Sequence, residues 1–111
     1  IHITIPGTVK TIQSDTFKLS EHEREITFED GVETLEPDAI VDCYSLDRVN
    51  IPESVTVIGE HAVGLYIAGD TFSEPVGKRE YTRAPLTYIY AKEGSAADRY
   101  AKDNDLYIKY N

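Results

Sequence analysis

The side chains able to do chemistry in this chain are few, and their spacing opposes most of that chemistry. No two of His2, His22 and His61 have the i, i+4 spacing of a helix-borne zinc site, so metal ligation is not expected. Cys43 is the lone thiol, which excludes an intramolecular disulfide and a cysteine-based zinc site. A thiol nucleophile needs a base within hydrogen-bond reach, and no recognisable partner accompanies Cys43. Ser95 lies in Gly94-Ser95-Ala96-Ala97 and lacks the Gly-x-Ser-x-Gly elbow; a helix N-cap accounts for its hydroxyl. Glu29, Asp30, Glu33 and Glu36 form an acidic cluster that could hold calcium weakly. It has no EF-hand pattern and reads as a solvated edge. A glycosidase would need two carboxyls facing each other across a cleft. An enzyme is not expected, and no cofactor or metal is.

Binding remains, and composition narrows the partners. The chain has 111 residues, 41% of them apolar, with 20 acidic against 11 basic side chains and a net charge of −9. That length suits one small domain with its own core. The acidic balance argues against nucleic acid, because phosphate neutralisation needs clustered lysine and arginine. The longest apolar stretch, 62–69, is far short of the roughly 20 residues that span a bilayer, so direct membrane insertion is not expected. The opening Ile1-His2-Ile3-Thr4-Ile5-Pro6 is a strand-like run entered in mid-course, as in a segment of a longer chain.

The elements that carry these residues repeat at an offset of 23. Ile3, Ile26 and Val49 superpose, as do Ile5, Phe28 and Ile51. So do Val9, Val32 and Val55, then Ile12, Leu35 and Ile58, then Phe17, Ile40 and Val63. Five columns in three rows are uniformly large and apolar, too regular for chance. The first two columns lie two residues apart, the periodicity of a strand with one face in and one out. Pro6 and Pro52 end that segment, and Gly7, Gly31 and Ser54 suit the bend that follows. The last column follows a short segment such as 59–62, expected as a 3₁₀ turn. There His61 replaces Asp15 and Asp38 of the earlier rows and is expected to face solvent. No unit buries its apolar residues alone. Stacked at the strand spacing of about 4.8 Å, the columns become ladders and each unit one coil of a solenoid.

The pattern divides the chain into repeats at 1–25, 26–48 and 49–63, an expanded loop over 64–86, and a last strand with a cap over 87–111. The fourth strand is expected at Thr87-Tyr88-Ile89-Tyr90, with Tyr88 in the outward column. The loop is either a binding loop or a surface excursion without a partner. Ser95 with Asp98 makes a capping-box signature for a helix, and Leu106, Ile108 and Tyr110 alternate as a final strand. Outward residues of the strand column are Thr4, Thr27, Asn50 and Tyr88. With Tyr66 and Tyr81 of the 64–86 segment they are the candidate partner-binding residues. Exposed tyrosine offers interface area at low entropic cost, though each can equally be half-buried packing.

The rows read Ile/Val-x-Ile-Pro-x-x-Val-x-x-Ile-Gly-x-x-Ala-Phe, most fully over 49–63, where Pro52, Val55, Ile58, Gly59 and Ala62 all match. This resembles the BspA-like (Treponema pallidum type) leucine-rich repeats of bacterial surface proteins. Cys43-Tyr44-Ser45-Leu46 is similar to that family's Cys-x-x-Leu step. The stretch Gly94-Ser95-Ala96-Ala97-Asp98-Arg99-Tyr100-Ala101 is similar to the segment that closes such arrays. Departures are Val63 for the usual Phe and Glu23 where Leu46 falls one repeat later. The resemblance implies a right-handed, mainly β leucine-rich-repeat solenoid of short parallel strands, with a C-terminal helix-strand cap. It further implies that Cys43 packs inside the coil, as a small buried hydrophobe. As function it implies a non-catalytic interaction module of a secreted or cell-surface bacterial protein, an adhesin whose partner is a host or bacterial surface protein. The other reading is a structural spacer or cap with no ligand of its own.

Overall fold

Repetition in the sequence becomes stacking in space. The computed structural model describes residues 2–17, 24–68, 80–84 and 86–111. In chain order its elements are β1 (His2–Ile5), β2 (Thr11–Ile12), β3 (Glu25–Phe28), β4 (Thr34–Leu35), β5 (Arg48–Asn50), β6 (Val57–Ile58), β7 (Leu65–Ala68), β8 (Glu80–Arg83), β9 (Tyr88–Ala91), α1 (Ala96–Asp103) and β10 (Tyr107–Tyr110). One parallel sheet runs β1-β3-β5-β9-β10, and a second runs β2-β4-β6. Between consecutive rows the register is the 23-residue offset: Ile3 pairs with Ile26, Ile26 with Val49, Ile12 with Leu35, and Leu35 with Ile58. The chain is therefore a mainly β solenoid with one short helix near its C-terminal end.

The bends repeat as faithfully as the strands. Val9, Val32 and Val55 each donate an amide hydrogen to the carbonyl three residues back, at 3.0, 3.2 and 3.1 Å. Thr16, Ala39 and Ala62 do the same at the last corner. That corner is a β-turn rather than the expected 3₁₀ segment. Its third residue, Asp15, Asp38 or His61, takes a left-handed φ of 61°, 59° or 59°, which stops a 3₁₀ turn from continuing. Close coil stacking needs small residues in places. A Cβ on Gly59 would lie 2.5 Å from the ring of Pro37 one coil away, so the proline fills the space that the glycine leaves.

Inside the coils, Ile26, Val32, Leu35, Val49, Val55, Val63 and Ile89 are fully buried. Val9 is the exception in its column, 39% exposed because no coil among the described residues is stacked on the outer side of the first winding. Cys43 is buried and donates its thiol hydrogen to the Phe17 carbonyl at 2.8 Å.

The fourth winding departs from the expected register by two residues. Asn50 pairs with Tyr90, while Tyr88 pairs with Arg48. Before the strand, the buried Thr87 hydroxyl donates to the Leu46 carbonyl at 2.6 Å. That bond places Thr87 at the corner and not in the inward strand column. The 64–86 segment also differs from an expanded loop: β7 and β8 within it pair antiparallel, Leu65 against Arg83. This hairpin attaches to the solenoid where Val41 bridges Leu65, with the Asp42 amide donating to the Leu65 carbonyl at 3.2 Å. The part of the expected loop over 69–79 lies outside the described residues.

The cap forms as its capping signature predicts. Ser95 Oγ accepts from the Asp98 amide at 3.3 Å, and Asp98 Oδ2 accepts from the Gly94 amide at 2.8 Å. The Gly94 bond, chiefly, holds the Asp98 carboxyl below its ordinary 3.8, with Tyr110 and Lys102 assisting against the cost of burial. A depressed carboxyl stabilises the fold above its ordinary value, and that contribution is lost as pH falls below about 4. Asp98→Asn should therefore flatten the acid limb of thermal stability below pH 4, measured as Tm against pH.

The helix is fixed to the solenoid by Tyr100. Its buried hydroxyl donates to the Val63 carbonyl at 2.6 Å and accepts from the Val63 amide at 2.9 Å. Burial, above all, pushes its phenol well above the ordinary 10.0. Tyr100→Phe leaves both Val63 backbone groups unsatisfied in the interior and should cost about 2 to 3 kcal/mol in urea denaturation. The neutral phenol is the stabilising form, so wild-type protein should also lose stability as pH rises above 10, and the variant should lack that component.

Candidate interaction face

The five-stranded sheet presents two columns of side chains outward. One runs His2, Glu25, Arg48, Tyr88, Tyr107, and the other Thr4, Thr27, Asn50, Tyr90, Lys109. Between them lie the inward Ile26, Val49 and Ile89, as strand alternation requires. Thr4, Thr27 and Asn50 thus share one column as expected. Tyr88 is on the same face but in the neighbouring column, and Tyr90 takes the place assigned to it. A slip of two residues keeps inward and outward faces unchanged, so alternation alone cannot register it.

The face divides into two chemical halves. Toward β1 it is a hydrogen-bonded polar network. Asn50 Nδ2 donates to Glu25 Oε2 at 3.1 Å and to Thr27 Oγ1 at 2.8 Å, and His2 Nε2 lies 3.1 Å from Thr27 Oγ1 and 3.6 Å from Glu25. Toward β10 it is aromatic and cationic. The Tyr88 and Tyr107 rings stack with centroids 5.0 Å apart, and the Arg48 guanidinium lies 3.7 Å from the Tyr90 centroid. Lys109 Nζ stands 5.2 Å over Tyr88, and Arg83 at the end of β8 stands 4.9 Å from Tyr107.

The other two candidates belong to the hairpin and point to its opposite faces, since Tyr66 pairs with Thr82 and Tyr81 lies one residue along. Tyr66 is half-buried against Tyr44, with centroids 4.7 Å apart. Burial, then the charges of Cys43 and Asp42, push its phenol above 10.0. Tyr81 packs as structure. Its hydroxyl donates to both oxygens of the buried Asp38 at 2.6 Å, and its ring stacks on His61 at 3.7 Å and 8°. His61 is accordingly half-buried under the hairpin and not the solvent-facing residue its column suggests. The structure brings the sheet residues together and leaves Tyr66 and Tyr81 apart from them. Sequence reasoning missed Arg48, Tyr90, Tyr107 and Lys109 as members of this face. The period-2 alternation of 107–110 and the 23-residue offset from Glu25 to Arg48 carried the signal.

Around Asp103, Arg99, Glu60 and His61 a shallow groove of about 540 Å³ separates α1 from β6, open to solvent and mixed in charge. Among the described residues no group of three or more His, Cys, Asp or Glu could hold a metal ion. No helix among them is long and apolar enough to cross a membrane.

Parallel coils with a buried apolar ladder and a continuous outer sheet face define a leucine-rich-repeat interaction module. The family model of the BspA-type leucine-rich repeat region, described as 6 copies, matches residues 1–65, and the chain belongs to that family. No curated protein and no solved structure matches the chain. The family is associated with bacterial surface proteins, and its repeats are typically non-catalytic interaction modules.

Proposed function

We propose that the chain is the partner-binding segment of a secreted or cell-surface bacterial adhesin, with no catalytic role, and that its outer sheet face meets a host or neighbouring bacterial protein. One observation carries this reading. Inward columns keep one chemistry in every winding, as in Ile26, Val49 and Ile89, whereas the outward column changes from His2 to Glu25 to Arg48 to Tyr88 before Tyr107 repeats the tyrosine. A repeat that holds its interior constant can vary its surface without cost to the fold, which suits recognition. Tyrosine and arginine, the residues that dominate interface energetics, occupy the β5-to-β10 half.

The test is capture of extracellular-matrix and bacterial surface proteins on the immobilised chain, with Tyr88→Ala and Tyr90→Ala as face variants. Capture that both variants weaken supports the reading, and capture of nothing opposes it. The second reading is a spacer or cap, favoured by the way Tyr100 seals α1 over Val63. A parent protein whose binding resides wholly in a different domain would favour it.

A further inference from the structure

Carboxylates outnumber basic groups 20 to 11 in this chain, yet none faces outward from β5, β9 or β10. The outward residues there are Arg48, Asn50, Tyr88, Tyr90, Tyr107 and Lys109. Elsewhere Arg24 meets Asp47 at 3.0 Å, Lys92 meets Glu53 at 3.2 Å and Lys102 meets Asp98 at 3.5 Å, while Lys10, Arg83 and Arg99 donate to backbone carbonyls. On this face, among the described residues, the cations meet only rings. Arg48 lies on Tyr90, and Lys109 stands over Tyr88. Although Glu25 is the strand neighbour of Arg48, its carboxylate is engaged by Asn50, Thr27 and His2. The Arg48 Nε is buried without a hydrogen-bond partner among the described residues. Two cations oriented by aromatic faces, with their donors unclaimed by carboxylates, are prepared for an anionic ligand.

The contacts also set the ligand's spacing. Arg48 and Lys109 reach in from the strands on either side of β9, the guanidinium to the ring of Tyr90 and Nζ to the ring of Tyr88. Those two tyrosines share one face of β9 and lie about 6.6 Å apart at about 3.3 Å per residue. An extended peptide places successive side chains of one face at i and i+2, the same spacing. We infer that this half of the sheet face binds an extended acidic segment of a partner protein, with two carboxylates two residues apart on the side that meets the tyrosines. This rests on the sheet face being the partner-binding surface.

The probe is a capped, fluorescently labelled heptapeptide with glutamates at its third and fifth positions, titrated against the whole chain by fluorescence anisotropy. Saturable binding is expected, weakening at higher salt as screening shortens the reach of both cations. Arg48→Gln and Lys109→Gln should each weaken it about three- to fivefold, and together more than about tenfold. Unchanged thermal melts of these variants keep the comparison interpretable, and Arg48→Lys, which retains the charge without the fork, should fall between. A glutamine-for-glutamate peptide that binds equally well overturns the proposal. So does tighter binding of a sulfated heparin hexasaccharide at the same residues, which would make the ligand a polysaccharide. If a captured protein maps to Tyr88 and Tyr90 while the acidic peptide does not bind, the acidic chemistry fails and the interaction face stands. If nothing maps to these residues, both fail.

Discussion

Val32→Asp should unfold the protein. Val32 is fully buried in the second winding, between Val9 and Val55 of the neighbouring coils. Its amide donates to the Glu29 carbonyl at 3.2 Å, and its carbonyl accepts from the Ser54 hydroxyl at 2.8 Å. An aspartate there would sit among the aliphatic side chains of the core. An uncompensated buried charge costs about 3 to 5 kcal/mol, a large part of the roughly 5 to 15 kcal/mol that holds a domain of this size together. Stacking makes the damage cooperative, because each coil is stable only against its neighbours. Val9→Asp gives the internal contrast. That residue is 39% exposed on the open side of the first coil, so its carboxylate can stay hydrated and the loss should be several-fold smaller. Far-UV circular dichroism with urea titration of both variants measures the difference. Equal stabilities, or a cooperative transition in Val32→Asp at the wild-type midpoint, would remove this column from the core.

The part of the fold legible in the sequence is the part that repeats. Apolar residues recurring every 23 positions name the inward ladders directly, because side chains that must meet across stacked coils are under the same steric and solvation demand. Val32, Val49 and Leu35 take their places in this way. The polar Thr4-Thr27-Asn50 column follows from the same register. The left-handed corner is within reach too: Asp and His are among the residues enriched at positive φ, and Asp15, Asp38 and His61 share one column.

What could not be read is where a unique element lands on a repeated one. Tyr81 comes from the β7–β8 hairpin, and nothing in the 23-residue pattern indicates that its ring will cover His61 or that its hydroxyl will reach Asp38. The hairpin joins Leu65–Ala68 to Glu80–Arg83 across 11 intervening residues, a separation with no two-residue turn signature to fix its register. Tyr88 and Tyr90 illustrate a different limit. Both alternate correctly with Ile89, and tertiary bonds such as that from Thr87 to Leu46 select which faces Asn50. The candidate site straddles this division. Its polar half belongs to the repeats, whereas its aromatic and cationic half depends on the non-repeating fourth strand and on β10.

Removing residues 87–111 should convert a folded chain into an aggregating one. The deletion takes away β9, α1 and β10, and with them the buried Ile89, Ala91, Ala97, Tyr100, Ala101 and Leu106. Specific hydrogen bonds go with these elements: the Ile51 amide donates to the Tyr90 carbonyl, the Tyr88 amide donates to the Asp47 carbonyl, and Val63 both donates to and accepts from the Tyr100 hydroxyl. Left behind is β5 with its hydrogen-bonding edge unpaired, beside Val49, Ile51 and Val63 newly open to water. An exposed strand edge flanked by aliphatic side chains is a template for pairing with another chain, and solenoid ends need polar caps for solubility. Size-exclusion chromatography with light scattering should find the truncated chain in high-mass species, with dye binding that reports exposed apolar surface. Tyr100→Phe, which weakens the same junction without opening the β5 edge, should remain monomeric. A monomeric, cooperatively folding 1–86 chain would mean that three windings suffice, and that α1 and β10 do not hold the stack closed.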